Sequence, residues 1–317
     1  MLFDEHAGGE RVGGVACEDR HLRLAQHLAA VEFLGDEVDG ATMDAHEPSA
    51  DPRSTQTLIA LALRDEADDE QAWEAIRVLQ TRGTPEVLAE AERLVLASEP
   101  LARARGAAIL GRLDVASEAA HEERVRLLLE LARREQDTGV LEAVLLALSF
   151  FDEPRVALAL LPLKSHPSDD VRLAVARALS ARDSRPETLD TLVALSADPN
   201  RDVRSWATFN LASQESVDSP ALRDALLARL TEADLEIQGE AFLGLALRKD
   251  PRLFEPLLAA LSARTVGALA VEAALELQDP RLYPALVALR DREGEADAYF
   301  RGVLDGAIRA YETSSGG

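Results

Sequence analysis

The chain has 317 residues, of which 47% are hydrophobic but only 4% aromatic, and a formal net charge of −23 at pH 7. No uninterrupted apolar run of about 18 residues occurs, so no membrane-spanning helix is expected. The single cysteine, Cys17, excludes an internal disulfide and a cysteine-built metal cage. A pI near 4.7 argues against nucleic-acid binding through the whole surface, which needs clustered Lys and Arg, but leaves room for a local basic groove.

Residues 1–20 are Gly-rich and aperiodic, as in a mobile arm. They contain no apolar signal core, so a secretory leader is not expected, and a reducing cytoplasm fits the cysteine usage. Arg20 to Leu34 reads as a helix with Leu24, Leu28 and Val31 on one face and Leu34 a turn further on. Gly35 to Pro52 is acidic and broken by Gly40, Pro48 and Pro52, a linker composition that cannot bury enough apolar area to order itself. Residues 1–53 are therefore read as an arm with one helix and a linker, residues 54–312 as a repeat domain and 313–317 as a frayed tail.

From Ser54 the pattern is helical to Tyr311, and it repeats. Leu79, Leu110, Leu148, Leu179, Leu211, Leu245 and Leu275 close similar segments at intervals of 31, 38, 31, 32, 34 and 30 residues. A period of that size means stacked helical units rather than one globular core. In each unit one helix opens with Pro behind an acidic or small residue. Asp250-Pro251-Arg252-Leu253-Phe254-Glu255-Pro256 and Asp279-Pro280-Arg281-Leu282-Tyr283-Pro284 show this most clearly, with Glu153-Pro154 and Thr84-Pro85 as looser copies. Asp caps the orphan N–H groups, and Pro at the first helical position forfeits no hydrogen bond. Pro256 and Pro284 fall within the first turn or so, where they are tolerated or bend the helix.

The second helix of the unit reads Asp169-Asp170-Val171-Arg172 to Leu179, with its nearest copy at Arg201-Asp202-Val203-Arg204 to Leu211. Val171, Val175 and Leu179 form a buried stripe at i, i+4 and i+8. Small residues at mid-helix (Ala75, Gly106, Ala207, Ala241) allow close approach of neighbours. This pattern resembles HEAT repeats, specifically the short PBS-lyase HEAT-like type, over residues 55–311. The resemblance implies an all-α, right-handed α-solenoid of about seven HEAT-like helix pairs, with the Val-Arg helices lining the concave face. It does not fix an activity, because the family includes scaffolds, bilin lyases, DNA glycosylase relatives, metal-dependent hydroxylases and toxin-neutralising proteins.

No constellation of catalytic residues stands out. The hydroxylases of this fold carry repeated His-Glu pairs, but here His46-Glu47 lies in the linker and His121-Glu122 at a helix start, which leaves the ligand set unclosed. Gly8 to Gly13 has the outer spacing of a P-loop but lacks its Lys and a preceding strand. His21 and His27 share a helix without facing one ligand. Cys17 sits beside Glu18 and Asp19, which disfavour a thiolate. No catalytic, metal or cofactor-binding residue is assigned.

Charge along the second helices is graded. Residues 71–82 hold Arg77 and Arg82 against Glu74; residues 101–113 hold Arg103, Arg105 and Arg112 and no acid; residues 171–182 hold Arg172, Arg177 and Arg182, with Asp183 just beyond. Residues 237–247 carry Glu240, and residues 267–277 carry Glu272 and Glu276. Such a groove would steer a partner of complementary polarity. Arg172 and Arg204 are expected to form an inter-repeat ladder with Asp170 and Asp202. Arg103 and Arg105 lack an adjacent Asp and are the better contact candidates, so Arg103→Glu with Arg105→Glu should weaken binding at unchanged helicity. Trp206, between Arg204 and Phe209, and Trp73, near Arg77, read first as core-proximal packing residues.

The function these readings favour is a non-enzymatic, cytoplasmic, bacterial-type scaffold or adaptor that binds a protein on its concave face. Neutralising a basic partner protein through the acidic C-terminal helices is one version. The expected contact residues are Arg77, Arg103, Arg105, Arg172, Arg177, Arg204, Trp206, Glu240, Glu272 and Glu276. A bilin-lyase-like enzyme is the alternative and would need a deep apolar cleft. Nucleic-acid binding at the Arg103/Arg105 end is a third reading and would be steeply salt-dependent.

Overall fold

The computed structural model describes residues 51–64, 70–179, 185–213, 217–292 and 298–314. The chain divides into two compact units, Met1–Asp44 and Ala45–Gly317. The whole of the first unit lies outside the described residues, as do the Gly-rich arm, the Arg20 to Leu34 helix, Cys17, His21, His27, His46-Glu47, Arg182, Asp183 and residues 315–317.

The described part of the second unit is all-α. Its helices are α1 (Thr55–Ala62), α2 (Glu70–Arg82), α3 (Pro85–Val95), α4 (Pro100–Arg112), α5 (Glu118–Arg134), α6 (Thr138–Leu148), α7 (Pro154–Leu160), α8 (Asp169–Ala178), α9 (Pro186–Leu195), α10 (Arg201–Ser213), α11 (Pro220–Arg229), α12 (Leu235–Leu247), α13 (Phe254–Ser262), α14 (Ala268–Leu277), α15 (Tyr283–Arg292) and α16 (Ala298–Ser314). They form two rows. Odd-numbered helices pack on odd-numbered neighbours, apart from α11 and α13, even on even, and each odd helix packs on the even helix that follows it. This is an α-solenoid, with α15 and α16 making an eighth pair beyond the last leucine of the sequence repeat.

Side-chain caps start many of these helices. Ser54, Thr84, Ser117, Asp137, Ser168, Ser219 and Asp234 each accept a hydrogen bond from a backbone N–H of the following first turn. Proline occupies the first helical position of α3, α7, α9 and α11 in the odd row and of α4 in the even row. In the Asp-Pro-Arg-Leu units, proline opens a 3₁₀ turn, Pro251–Leu253 or Pro280–Leu282, and the α-helix begins only at Phe254 or Tyr283. The expected single helix is split because Pro256 and Pro284 have no N–H to donate and crowd the preceding turn, which tightens instead.

The even row stacks more closely than the odd row. A Cβ on Gly111 of α4 would lie 2.9 Å from Ala147 Cα of α6, so only glycine admits that approach. In a curved stack the more closely spaced row lies on the inside of the curve, so the even row is taken as the inner one. Between the rows runs one continuous core that includes Leu79, Leu110, Leu148, Leu179, Leu211 and Leu245, each fully buried. Leu275 is the exception among the repeat leucines and is only partly buried, against that core. Helix α16 packs on α14 and α15: the buried Tyr311 hydroxyl donates to Ala274 O at 2.6 Å, while Arg301, Asp305, Arg309 and Glu312 are exposed. That helix runs on to Ser314, past the expected start of the tail.

At the other end, two residues of the expected linker are held in place. Arg82 of α2 donates to Asp51 O and Arg53 O at 3.2 and 2.9 Å, and Arg53 pairs with Asp51. Among the described residues no helix is long and apolar enough to cross a membrane.

Candidate functional site

The inner row is the candidate interaction surface, and its arginines divide into two kinds. Arg103, Arg172 and Arg204 each occupy the fourth position of an even helix. Each sends Nη1 back to two carbonyls five and six residues upstream, in the turn between the helices of its own repeat. Arg103 reaches Ala97 O and Ser98 O; Arg172 reaches His166 O and Pro167 O; Arg204 reaches Asp198 O and Pro199 O. Nε and Nη2 then grip a carboxylate in the corresponding turn of the next repeat. The Nε distances are 2.7 Å for Arg103 to Glu135, 2.7 Å for Arg172 to Asp198 and 3.2 Å for Arg204 to Glu232.

The expected ladder therefore exists with different acceptors. Asp170 and Asp202 sit in the first turn of α8 and α10, where carboxylates suit the positive end of the helix dipole. The ladder carboxylates stand 26 to 32 residues downstream. Arg103, expected to be spare, is the same kind of rung two repeats before Arg172. Hydrogen bonds from Arg103 hold the Glu135 carboxyl down to about 2 against the opposing effect of burial, helped by the N–H groups of Asp137 and Gln136. Burial works against ionisation of Asp198 too, but Arg172 and the Asn200 N–H hold it below the usual carboxylate range.

The second kind stacks on tryptophan. The Arg105 guanidinium lies 4.3 Å from the centre of the Trp73 ring, and Arg177 lies 5.3 Å from that of Trp206. All four side chains are half-buried on the inner row. Trp206 also meets Phe209 edge-on at 6.1 Å. Both tryptophans pack against the core, as their sequence context suggests, yet each keeps an exposed edge beside a cation. Arg77 on α2 is exposed.

Toward the C-terminus the acidic residues have neighbours as well. Glu240 is buried. Glu272 accepts from the Tyr299 hydroxyl at 3.1 Å, and Tyr299 is itself 52% exposed. Glu276 receives Lys249 through both its carbonyl and its carboxylate. The sequence gradient thus survives as a distribution of side chains, but much of the basic half is spent on repeat–repeat contacts.

His121 Nε2 lies 2.6 Å from Glu153 Oε1, and Arg155 joins Glu153 to Glu122. The His-Glu pair is thus part of a surface ion-pair network on the odd row. Among the described residues there is no group of three or more His, Cys, Asp or Glu side chains arranged to hold a metal ion. A shallow groove of about 480 Å³ opens on the outer row, lined by Arg126, Leu129, Glu130, Arg133 and Arg155.

Sequence reasoning missed the structural arginines of the odd row. Arg124, 7% exposed, donates to Leu110 O and Gly111 O at 2.7 and 3.0 Å and lies over Phe151. Arg134 donates to Val95 O and Arg229 to Ser196 O, one repeat back. Their placement at the ends of α5 and α11, where a cation meets free carbonyls, was the available signal.

A family profile described as HEAT repeats matches residues 125–212. Protein YibA of Escherichia coli K12 is 38% identical over 119 residues, which is 38% of this chain and 42% of that protein; YibA of strain O157:H7 gives the same figures. In sequence, then, the chain matches less than half the length of these relatives. A crystal structure of Escherichia coli YibA superposes with a TM-score of 0.66 at 21% identity, covering 98% of this chain and 99% of that one. At that identity the likeness speaks for the fold.

Proposed function

We propose that this chain, a HEAT-repeat protein, is a non-enzymatic scaffold that holds a protein partner against the inner helix row. The observation that carries this reading is the pair of Arg–Trp stacks, Arg105 on Trp73 and Arg177 on Trp206, half-buried on one face and set on rigid helices. Tryptophan and arginine are the side chains that most often anchor protein interfaces. The ladder beneath them keeps successive helices in register, so the face is preformed and little order has to be gained on binding. The outer-row groove is open to solvent and rimmed by Arg126, Glu130, Arg133 and Arg155, whereas a bilin-lyase-like enzyme would need a deep, enclosed apolar cleft.

A basic partner is the version that the net charge of −23 supports, through faster encounter rather than through close contact. A cytoplasmic site of action belongs to the same proposal. The test is affinity capture from lysate with the full chain as bait, followed by mass spectrometry and absorbance. A stoichiometric protein released by moderate salt is the expected result. A small coloured species without any protein would overturn the reading in favour of an enzyme.

A further inference from the structure

Two side chains at the middle of the inner row, Glu142 and Arg177, lack a polar partner among the described residues. Glu142 on α6 and Arg177 on α8 are both half-buried, and each feels the charge of the other. Neither forms an ion pair or a side-chain hydrogen bond among the described residues, and Nε of Arg177 is shielded from solvent with no acceptor. The Trp206 ring on α10 lies 5.3 Å from the same guanidinium. The ladder arginine on the same helix, Arg172, is by contrast saturated by Asp198, His166 and Pro167. Buried polar groups are normally paired, so the gap between Glu142 and Arg177 calls for a ligand with complementary groups.

We propose that Glu142, Arg177 and Trp206 clamp one peptide unit of an extended polypeptide segment. The backbone carbonyl accepts from Arg177, the backbone N–H donates to Glu142, and the adjacent side chain rests beside the Trp206 ring. This builds on the scaffold reading and names the kind of partner. A free anion fits the site poorly, because the carboxylates of Glu142 and Asp202 both act on Arg177. A helical ligand also fits poorly, since its amides are already bonded internally, whereas an extended segment offers free N–H and C=O groups. Burial pushes the Glu142 carboxyl up and the Arg177 guanidinium down, and a dipole bonded to both charged groups relieves that opposition.

The test is selection of phage-displayed linear random dodecapeptides on the full chain. The enriched peptides are then synthesised and measured against wild type, Glu142→Gln and Arg177→Lys. Circular dichroism and the urea midpoint check that both variants fold. The expected result is at least tenfold weaker binding to each variant. In addition, N-methylation of one peptide amide should weaken binding to wild type tenfold but change binding to Glu142→Gln little. Peptides whose affinity neither substitution alters would overturn the clamp while leaving the scaffold reading in place. Binding that requires an acidic side chain and ignores N-methylation would overturn it in favour of an anion site. Failure to enrich any peptide would also overturn it, and the scaffold reading would then stand or fall on the lysate capture alone.

Discussion

Arg172 and Asp198 are joined by two hydrogen bonds, Nε to Oδ2 at 2.7 Å and Nη2 to Oδ1 at 3.0 Å, with side chains only 12% and 6% exposed. The same Asp198 passes its main-chain carbonyl to Arg204, whose guanidinium reaches on to Glu232. Three consecutive turns are thus tied in a relay, and the relay sets the spacing of the inner row.

Removing one partner of such a buried pair leaves the other charge uncompensated. Asp198→Ala is expected to destabilise the solenoid by about 3 kcal/mol, measured by urea unfolding. Arg172→Lys should also lose stability, because an ammonium cannot bond a carboxylate in two places while reaching two carbonyls.

The ladder carboxylates make stability acid-sensitive. Glu135 is held down to about 2 from an ordinary 4.5, so between those values the unfolded chain binds more protons than the folded one. The stabilisation is complete above pH 4.5 and is lost as pH falls toward 2. The urea midpoint should fall between pH 5 and pH 3, and it should fall less in Glu135→Gln.

Arg103→Glu with Arg105→Glu, which the sequence alone offers as a clean binding test, now reads differently. Arg103 is a rung, so the double variant is expected to lose about 3 kcal/mol or more of stability. Arg105→Ala alone leaves the rung in place and is the usable probe. Thermal unfolding of both variants, followed by circular dichroism, separates these effects.

Two glycines give opposite expectations. A Cβ on Gly106 would lie 2.8 Å from Leu94 Cβ and 2.9 Å from Val95 N, so Gly106→Ala should cost about 1–3 kcal/mol through overpacking. At Gly302, within α16, a Cβ meets nothing within 4 Å. Gly302→Ala should stabilise by roughly 0.5–1 kcal/mol through helix propensity. Denaturant midpoints of the two variants check both signs.

The repeat was legible because its signals are local. The leucine spacing, the Asp-Pro starts and the small residue at Gly106 each follow from helix periodicity, capping or close packing. The ladder acceptors were not legible by the same logic. Neighbour rules within a helix point from Arg172 to Asp170, whereas the guanidinium leaves the helix and crosses to the next turn of the solenoid, at Asp198. Register between repeats carries that information, since Glu135, Asp198 and Glu232 each follow the end of an odd helix. Likewise the sequence marked Trp206 as core-proximal, but only the fold sets Arg177 beside it, two helices apart in the chain.

The most direct test of the account is the affinity of the captured partner for two variants. One removes inner-row anchors, Arg105→Ala with Trp206→Ala. The other removes outer-row charges, Arg126→Ala with Arg133→Ala. Binding through the inner row should be at least tenfold weaker in the first variant and unchanged in the second, with both folded. Unchanged affinity for the inner-row variant, or a loss confined to the outer-row one, would contradict it.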